Sequence, residues 1–173
     1  MMMKYRSSIF LALIVGLVFA GMAAAQGSSF SNPNVDYTFE LPDARWKMTV
    51  KPSSTTANVE YVFGDRNDGH LEVRRINAPP RGTMSAVIKE EEQKLQFLPG
   101  YVAGKEERFG GFLNGSVFNF EFIRSGRPMS GRFYFLKAGD AVYLLRFTGF
   151  RDSLRSIRNQ TDSIARTFNV KKN

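Results

Sequence analysis

The chain has 173 residues, with 24 Lys and Arg against 16 Asp and Glu, a formal net charge of +8, no Cys and a single His. Without Cys there is no disulfide, thiol nucleophile, cysteine-ligated zinc or iron–sulfur centre, and His70 alone cannot build a multi-histidine metal site. Nineteen of the first 25 residues are apolar, so the composition mixes two objects. The 148 residues that follow have the size of one ordinary globular domain, one that buries roughly 68–70% of its unfolded surface without staples.

The leading segment reads as a signal peptide. Lys4 and Arg6 precede an apolar run from Ile9 to Ala20, and the small residues Ala23, Ala24 and Ala25 follow before Gln26. A positive start, a short apolar stretch and small side chains at a cleavage point are the three features export requires. Cleavage is expected after Ala25. The alternative is an uncleaved anchor, since Ile9 to Ala25 lies at the lower edge of the ~17–25 residues that span a bilayer. No Cys stands at the cleavage point, which argues against a lipoprotein. The expected division is therefore signal peptide 1–25, flexible lead-in 26–34 and one domain over 35–170. The mature protein is expected to be periplasmic or extracellular, with no transmembrane anchor after cleavage.

Gln26 to Asn34 is rich in Gly, Ser, Asn and Pro and gives no packing signal, so folding is expected to begin near Val35. Val35, Tyr37, Phe39 and Leu41 alternate with polar residues, Pro42-Asp43 makes a turn, and Trp46, Met48 and Val50 alternate again. Residues 35 to 50 thus read as strand, tight turn, strand. Val59 to Phe63 and Leu71 to Ile76 flank a spacer containing Asp65, Asn67, Asp68 and Gly69, the composition of a hairpin loop. After Pro79-Pro80 the period changes. Met84, Val87, Ile88 and Leu95 have helical spacing, Thr83 can cap the helix, and Pro99-Gly100 stops it. Four strand-like runs follow, at Tyr101–Phe109, Gly115–Arg124, Arg132–Lys137 and Ala141–Thr148, with Asn114-Gly115, Ser125-Gly126 and Gly139-Asp140 as turns. The last three runs are bulky and apolar in both alternating sets, which predicts a sheet covered on both faces. Leu154, Ile157, Ile164, Ala165 and Phe168 form one stripe of a closing helix from about Asp152. The order strands, helix, strands, helix predicts an α+β fold with a central antiparallel sheet flanked by helices.

The run Tyr37-Thr38-Phe39-Glu40-Leu41-Pro42 followed by Trp46, paired strands, one helix, a Gly-rich meander and a C-terminal helix ending Ala165-Arg166-Thr167-Phe168 resembles the PsbP-like superfamily over about residues 35 to 168. That group includes PsbP-type, DcrB-type and Ran-binding members. The resemblance implies an α/β/α sandwich and a non-catalytic binding or assembly module. It names no partner, because a fold hosts many functions, and no metal or photosystem contact of PsbP is matched by residues here.

Candidate chemistry is sparse. Asp65, Asp68, His70 and Glu72 could form an oxygen-rich metal loop, but Gly69 stands one position early for a calcium loop and the twelfth-position Glu is absent. His70 on a turn reads as solvated, no Ser lies in a nucleophile elbow, and Glu90-Glu91-Glu92 reads as a wet helix face. Asn114-Gly115-Ser116 and Asn159-Gln160-Thr161 match a glycosylation triplet that is common by chance.

Charge is the better signal. Residues 26–122 carry 11 basic and 13 acidic side chains, whereas 123–173 carry 11 basic and 3 acidic. Arg151, Arg155 and Arg158 share a face of the expected last helix, with Arg166 beyond them and Arg124, Arg127 and Arg132 near one turn. Such a face attracts an anionic partner through a salt-screened field, against the alternative of an ordinary solvated helix face. Nucleic acid is not expected, since no recognition motif is present. The sequence therefore predicts an exported, non-enzymatic, cofactor-free PsbP-like module that binds an unknown protein or envelope component. The alternatives are an envelope enzyme using Asp, Glu or Arg side chains in a pocket, and a carrier of an anionic or lipid ligand. The export expectation has a direct check: sequencing the N-terminus of the mature protein should start at Gln26, and a membrane-bound chain starting at Met1 would replace the signal peptide with an anchor.

Overall fold

A computed structural model describes residues 27–77 and 83–171. The expected signal segment and the Pro79-Pro80 stop lie outside the described residues. Among the described residues no helix is long and apolar enough to cross a membrane.

Seven strands form one antiparallel sheet: β3 (Trp46–Val50), β4 (Val59–Phe63), β5 (Asp65–Asn77), β6 (Val102–Gly110), β7 (Asn114–Arg124), β8 (Arg127–Ala138) and β9 (Ala141–Phe150), in the spatial order β3-β4-β5-β9-β8-β7-β6. Three short strands, β1 (Ser28–Ser31), β2 (Tyr37–Leu41) and β10 (Asn169–Val170), make a second sheet with β2 central. The helices are α1 (Met84–Leu95), α2 (Arg151–Ser156) and α3 (Arg158–Thr167). The α+β sandwich expected from the sequence is present, and one of its outer layers is part helix and part sheet.

The middle strands force this layering. On one face Tyr134, Leu136, Tyr143, Leu145 and Phe147 join the cluster covered by the small sheet and by α2 and α3. On the other, Phe133, Phe135, Val142 and Leu144 join the cluster covered by α1 through Val87, Ile88 and Leu95. Thr83 caps α1 by accepting a bond from the Ala86 N–H at 3.2 Å, one of the helix donors otherwise left without a partner. The β7–β8 turn puts Ser125 and Gly126 at φ +51° and +72°, the positive-φ pair that matches the twist of a two-residue hairpin. Gly131 on β8 lies under the Phe120 ring, where a Cβ would stand 2.1 Å from a ring carbon.

Four expectations need correction. The lead-in is not loose: β1 pairs with β2, and Phe30 is only 4% exposed, stacked on Phe39 at 4.7 Å. One buried aromatic among polar residues is too short a signal to register as a strand, yet it suffices once β2 offers an edge. The strands either side of Pro42-Asp43 do not pair with each other, because β2 belongs to the small sheet and β3 to the large one; the turn carries the chain between layers. The spacer after Phe63 is not a free loop. Gly64 turns at φ +68°, but the register jumps from Phe63↔Asp65 to Val62↔His70, so residues 66–69 bulge out of β5. Finally, the closing helix is broken at Ile157 (φ −101°, ψ 15°). The break lets α2 lie on β5, β8 and β9 while α3 lies on β2, which one straight helix could not do. The apolar stripe from Leu154 to Phe168 is nevertheless buried throughout.

Trp46 packs on Phe63 and Phe147 and donates its indole N–H to Gln160 at 2.9 Å. Trp46→Ala is expected to lower the unfolding free energy by about 3–5 kcal/mol, the range for a buried aromatic. Chemical denaturation showing a change within ~0.5 kcal/mol would place the ring at the surface.

Candidate functional site

Helix α2 covers the sheet only as far as β8. Beyond it one end of the face over β7 and β6, past the buried Val117 and Phe109, is open, and a groove of about 380 Å³ runs there between the helix and the strands. Its floor is polar: β7 contributes Asn119 and Glu121, and β8 contributes Ser130 and Arg132. The helical wall holds Arg151, Leu154, Arg155 and, at the start of α3, Arg158, with Glu107 of β6 opposite. The three arginines singled out by sequence thus line one groove, joined by Arg132. The helix break falls between Arg155 and Arg158, yet all three still line the groove.

The four guanidinium groups differ in how firmly they are held. Arg132 is 7% exposed and fully engaged, donating to the Tyr134 hydroxyl and to Asn119 at 2.6 Å and to Asp162 at 2.7 Å. Burial works against its charge, but Tyr134 and Asp162 outweigh it and hold the group above its ordinary range. Burial pushes the Tyr134 phenol upward, so that hydroxyl stays protonated. It donates to Asp162 at 2.5 Å and shares a bond with Thr161 at 3.0 Å. Arg151 and Arg155 are loosely paired instead. Arg151 stands 3.7 Å from Glu121 and 3.8 Å from Asp152, and its Nε is buried without a hydrogen-bond partner. Arg155 stands 3.7 Å from the exposed Asp152. Arg158 forms no ion pair among the described residues. Exposed pairs at such lengths contribute about 0–1 kcal/mol and exchange readily, so the wall can turn its cations to an incoming anion, whereas Arg132 cannot move.

The other basic residues lie elsewhere. Arg166 donates to the Gly110 carbonyl at 2.9 Å at the far end of the sheet, while Arg124 and Arg127 cover the Phe122 and Phe150 rings. His70 is not solvated. It is 9% exposed, with Nε2 2.7 Å from Glu60 across the β4–β5 pair. Its loop neighbours have separate partners: Asp65 accepts from the Asn67 N–H, Asp68 from Ser153, and Glu72 from Arg74 and Arg146. Among the described residues no three His, Asp or Glu side chains converge on a metal position. Glu91 is buried rather than part of a wet face, and it accepts from Lys94 at 2.6 Å.

Sequence reasoning missed the Arg132–Tyr134–Asp162 cluster and the Glu72–Arg74–Arg146 cluster. A signal was present in each, since Arg132 with Tyr134 and Glu72 with Arg74 are i, i+2 pairs and share a sheet face. Their remote partners, Asp162 and Arg146, had none.

No protein-family model and no curated protein sequence matches the chain. Its fold is found in solved structures. CyanoP, the cyanobacterial PsbP of Synechocystis, superposes with a TM-score of 0.61 at 13% identity, over 87% of this chain and 95% of its own. PA94 of Pseudomonas aeruginosa, a protein of unknown function, gives 0.54 at 13% over 86% and 99%. LpqN of Mycobacterium tuberculosis gives 0.51 at 15% over 85% and 91%. The chain therefore has the PsbP-like fold, as the Tyr37–Trp46 opening suggests.

The fixed and loose arginines separate in an experiment. Asp162→Ala takes from the buried Arg132 its one carboxylate partner and is expected to cost about 1–3 kcal/mol in unfolding free energy, while Arg158→Ala should fall within ±0.5 kcal/mol. Denaturation of the two variants side by side checks this.

Proposed function

We propose that this chain is an exported, non-catalytic binding module that takes an acidic envelope component into the groove between α2 and strands β6–β8. The observation that carries this reading is the convergence of Arg151 and Arg155, both weakly paired, and Arg158, which forms no ion pair among the described residues, on one groove of about 380 Å³. Arginine suits the role because its planar fork meets carboxylate and phosphate oxygens in pairs. An enzyme would call for polar groups converging in a deep pocket, and here the two apolar clusters fill the interior on either side of the sheet. The structural likeness to LpqN, involved in cell envelope biogenesis in Mycobacterium tuberculosis, is in keeping with an envelope partner.

The test is the triple charge reversal R151E/R155E/R158E. Binding of the full mature protein to its native envelope fraction should weaken at least tenfold at low salt. Wild-type binding should fall as ionic strength brings the Debye length to ~8 Å and below. Stability should change little, because the buried stripe of Leu154, Ile157 and Ile164 is untouched. Unchanged binding by the triple variant at low salt would make this helix face ordinary surface.

A further inference from the structure

The opposite face of the sheet has its own gap. Helix α1 covers β7 and β8 and ends at Leu95, and past its end the face opens as two adjoining hollows of about 180 and 290 Å³ that share Arg124, Arg146 and Thr148. The smaller hollow is polar, with Arg66, His70 and Glu72 completing it. The larger is walled by Leu95, Leu98, Phe122 and Phe133, three of them buried in the α1 cluster. One end is charged and the other apolar.

The charged end has too few carboxylates. Glu72 is shared by Arg74 and by Arg146, the latter at 3.1 Å, and Glu60 is shared by His70 at 2.7 Å and Arg66 at 3.5 Å. Arg124 rests over the Phe122 ring at 5.4 Å and pairs with no carboxylate among the described residues. Four guanidinium groups thus face two carboxylates, with His70 besides. Arg146 is also over a ring, 4.9 Å from Phe133, and burial pulls its guanidinium below the ordinary range with Glu72 only partly offsetting this. Glu91, at the rim of the larger hollow, shares Lys94 with Glu90 and also favours the charged form of Arg146, yet with Glu60 and Glu72 it makes three lining or paired carboxylates against four guanidinium groups and Lys94. A half-buried cation with half a partner gains most from an added oxyanion, because the interaction is weakly screened there.

We propose that this gap is a binding site for a small anionic amphiphile, its oxyanion head held by Arg124, Arg146 and the Thr148 hydroxyl and its short apolar tail lying between Leu98 and the Phe122 and Phe133 rings. Both parts of the ligand are required by the walls. A bare anion would leave the apolar hollow unfilled, and an uncharged chain would leave the cation excess uncompensated. The five apolar side chains, Leu95, Leu98, Phe120, Phe122 and Phe133, are gathered at one end and the polar and charged groups at the other, which suits a ligand with a charged head and an apolar tail. The site lies on the other side of the sheet from the groove proposed to bind the envelope component and does not depend on it.

Octanoate is the probe, with acetate as the head alone and octyl glucoside as the tail without charge. Titration of the full mature protein, followed by calorimetry and by amide shifts in NMR, should show saturable one-to-one octanoate binding at least tenfold tighter than either control. The shifts should fall at Thr148, Arg146, Leu95 and Leu98. Arg124→Gln, at an exposed position that leaves the core intact, should weaken octanoate at least tenfold, and Leu98→Glu should do so by repelling the tail. Acetate binding as tightly as octanoate would reduce the site to a simple anion hollow and overturn the proposal. Equal binding of octyl glucoside would overturn it as an apolar groove, and shifts confined to Arg151, Arg155 and Arg158 would do so by placing the ligand on the other face. Failure of the envelope-binding test leaves these outcomes unaffected.

Discussion

Strands β8 and β9 pair over ten residues, from Met129↔Phe150 to Ala138↔Ala141, and carry large apolar side chains on both faces. Tyr134, Leu136, Tyr143, Leu145 and Phe147 point one way, and Phe133, Phe135, Val142 and Leu144 the other. A sheet with two such faces cannot leave either in water, since each fully buried side chain of this kind contributes roughly 1.5–3 kcal/mol that exposure forfeits. The remaining elements are the answer to that demand. Helix α1 covers one face; the other takes α2, α3 and a second small sheet, held by Phe30, Phe39 and Phe168 against Tyr61 and Tyr143.

Both candidate sites lie where a covering layer stops. On one face α2 ends its reach at β8, and the exposed floor turns polar with Asn119, Glu121, Ser130 and Arg132. On the other, α1 ends at Leu95, and the floor changes from Phe133 and Leu144 to Arg146, Thr148 and Glu72. On this second face β9 is apolar as far as Leu144 and polar at Arg146 and Thr148. Polar groups at the margin of a cover are partly dehydrated, which fixes a few of them firmly and leaves others short of partners. Arg132 is the firm kind, and Arg151, Arg124 and Arg146 are the other.

The basic C-terminal third dissolves into several local situations once folded. Of its arginines, Arg132 is neutralised inside the fold, Arg166 holds a carbonyl, and Arg124 and Arg127 lie on rings. A count of charges along the chain registers their excess but not where it accumulates. It placed Arg124 near a turn and gave Arg146 no site, whereas Arg146 and Arg124 collect on the opposite side of the sheet with Arg66 and Arg74, which come from the segment that counts as net acidic.

The sequence by itself determined the class of fold, because the period of apolar residues is a local property. Alternation in Phe118–Phe122 and Tyr143–Phe147 specifies strands, the doubled apolar sets specify two covers, and the spacing from Met84 to Leu95 specifies a helix. It also placed Arg151, Arg155 and Arg158 together, since positions three and four apart on a helix are neighbours. Tertiary structure decided what depends on distant partners. The entry of Phe30 into a sheet, the assignment of β2 and β3 to different layers, the break at Ile157 and the pairing of His70 with Glu60 each depend on a surface supplied by another part of the chain. The same holds for the meeting of Glu72 with Arg146, 74 residues apart. Local pattern carries no record of such contacts, because their energy exists only when the chain has closed on itself.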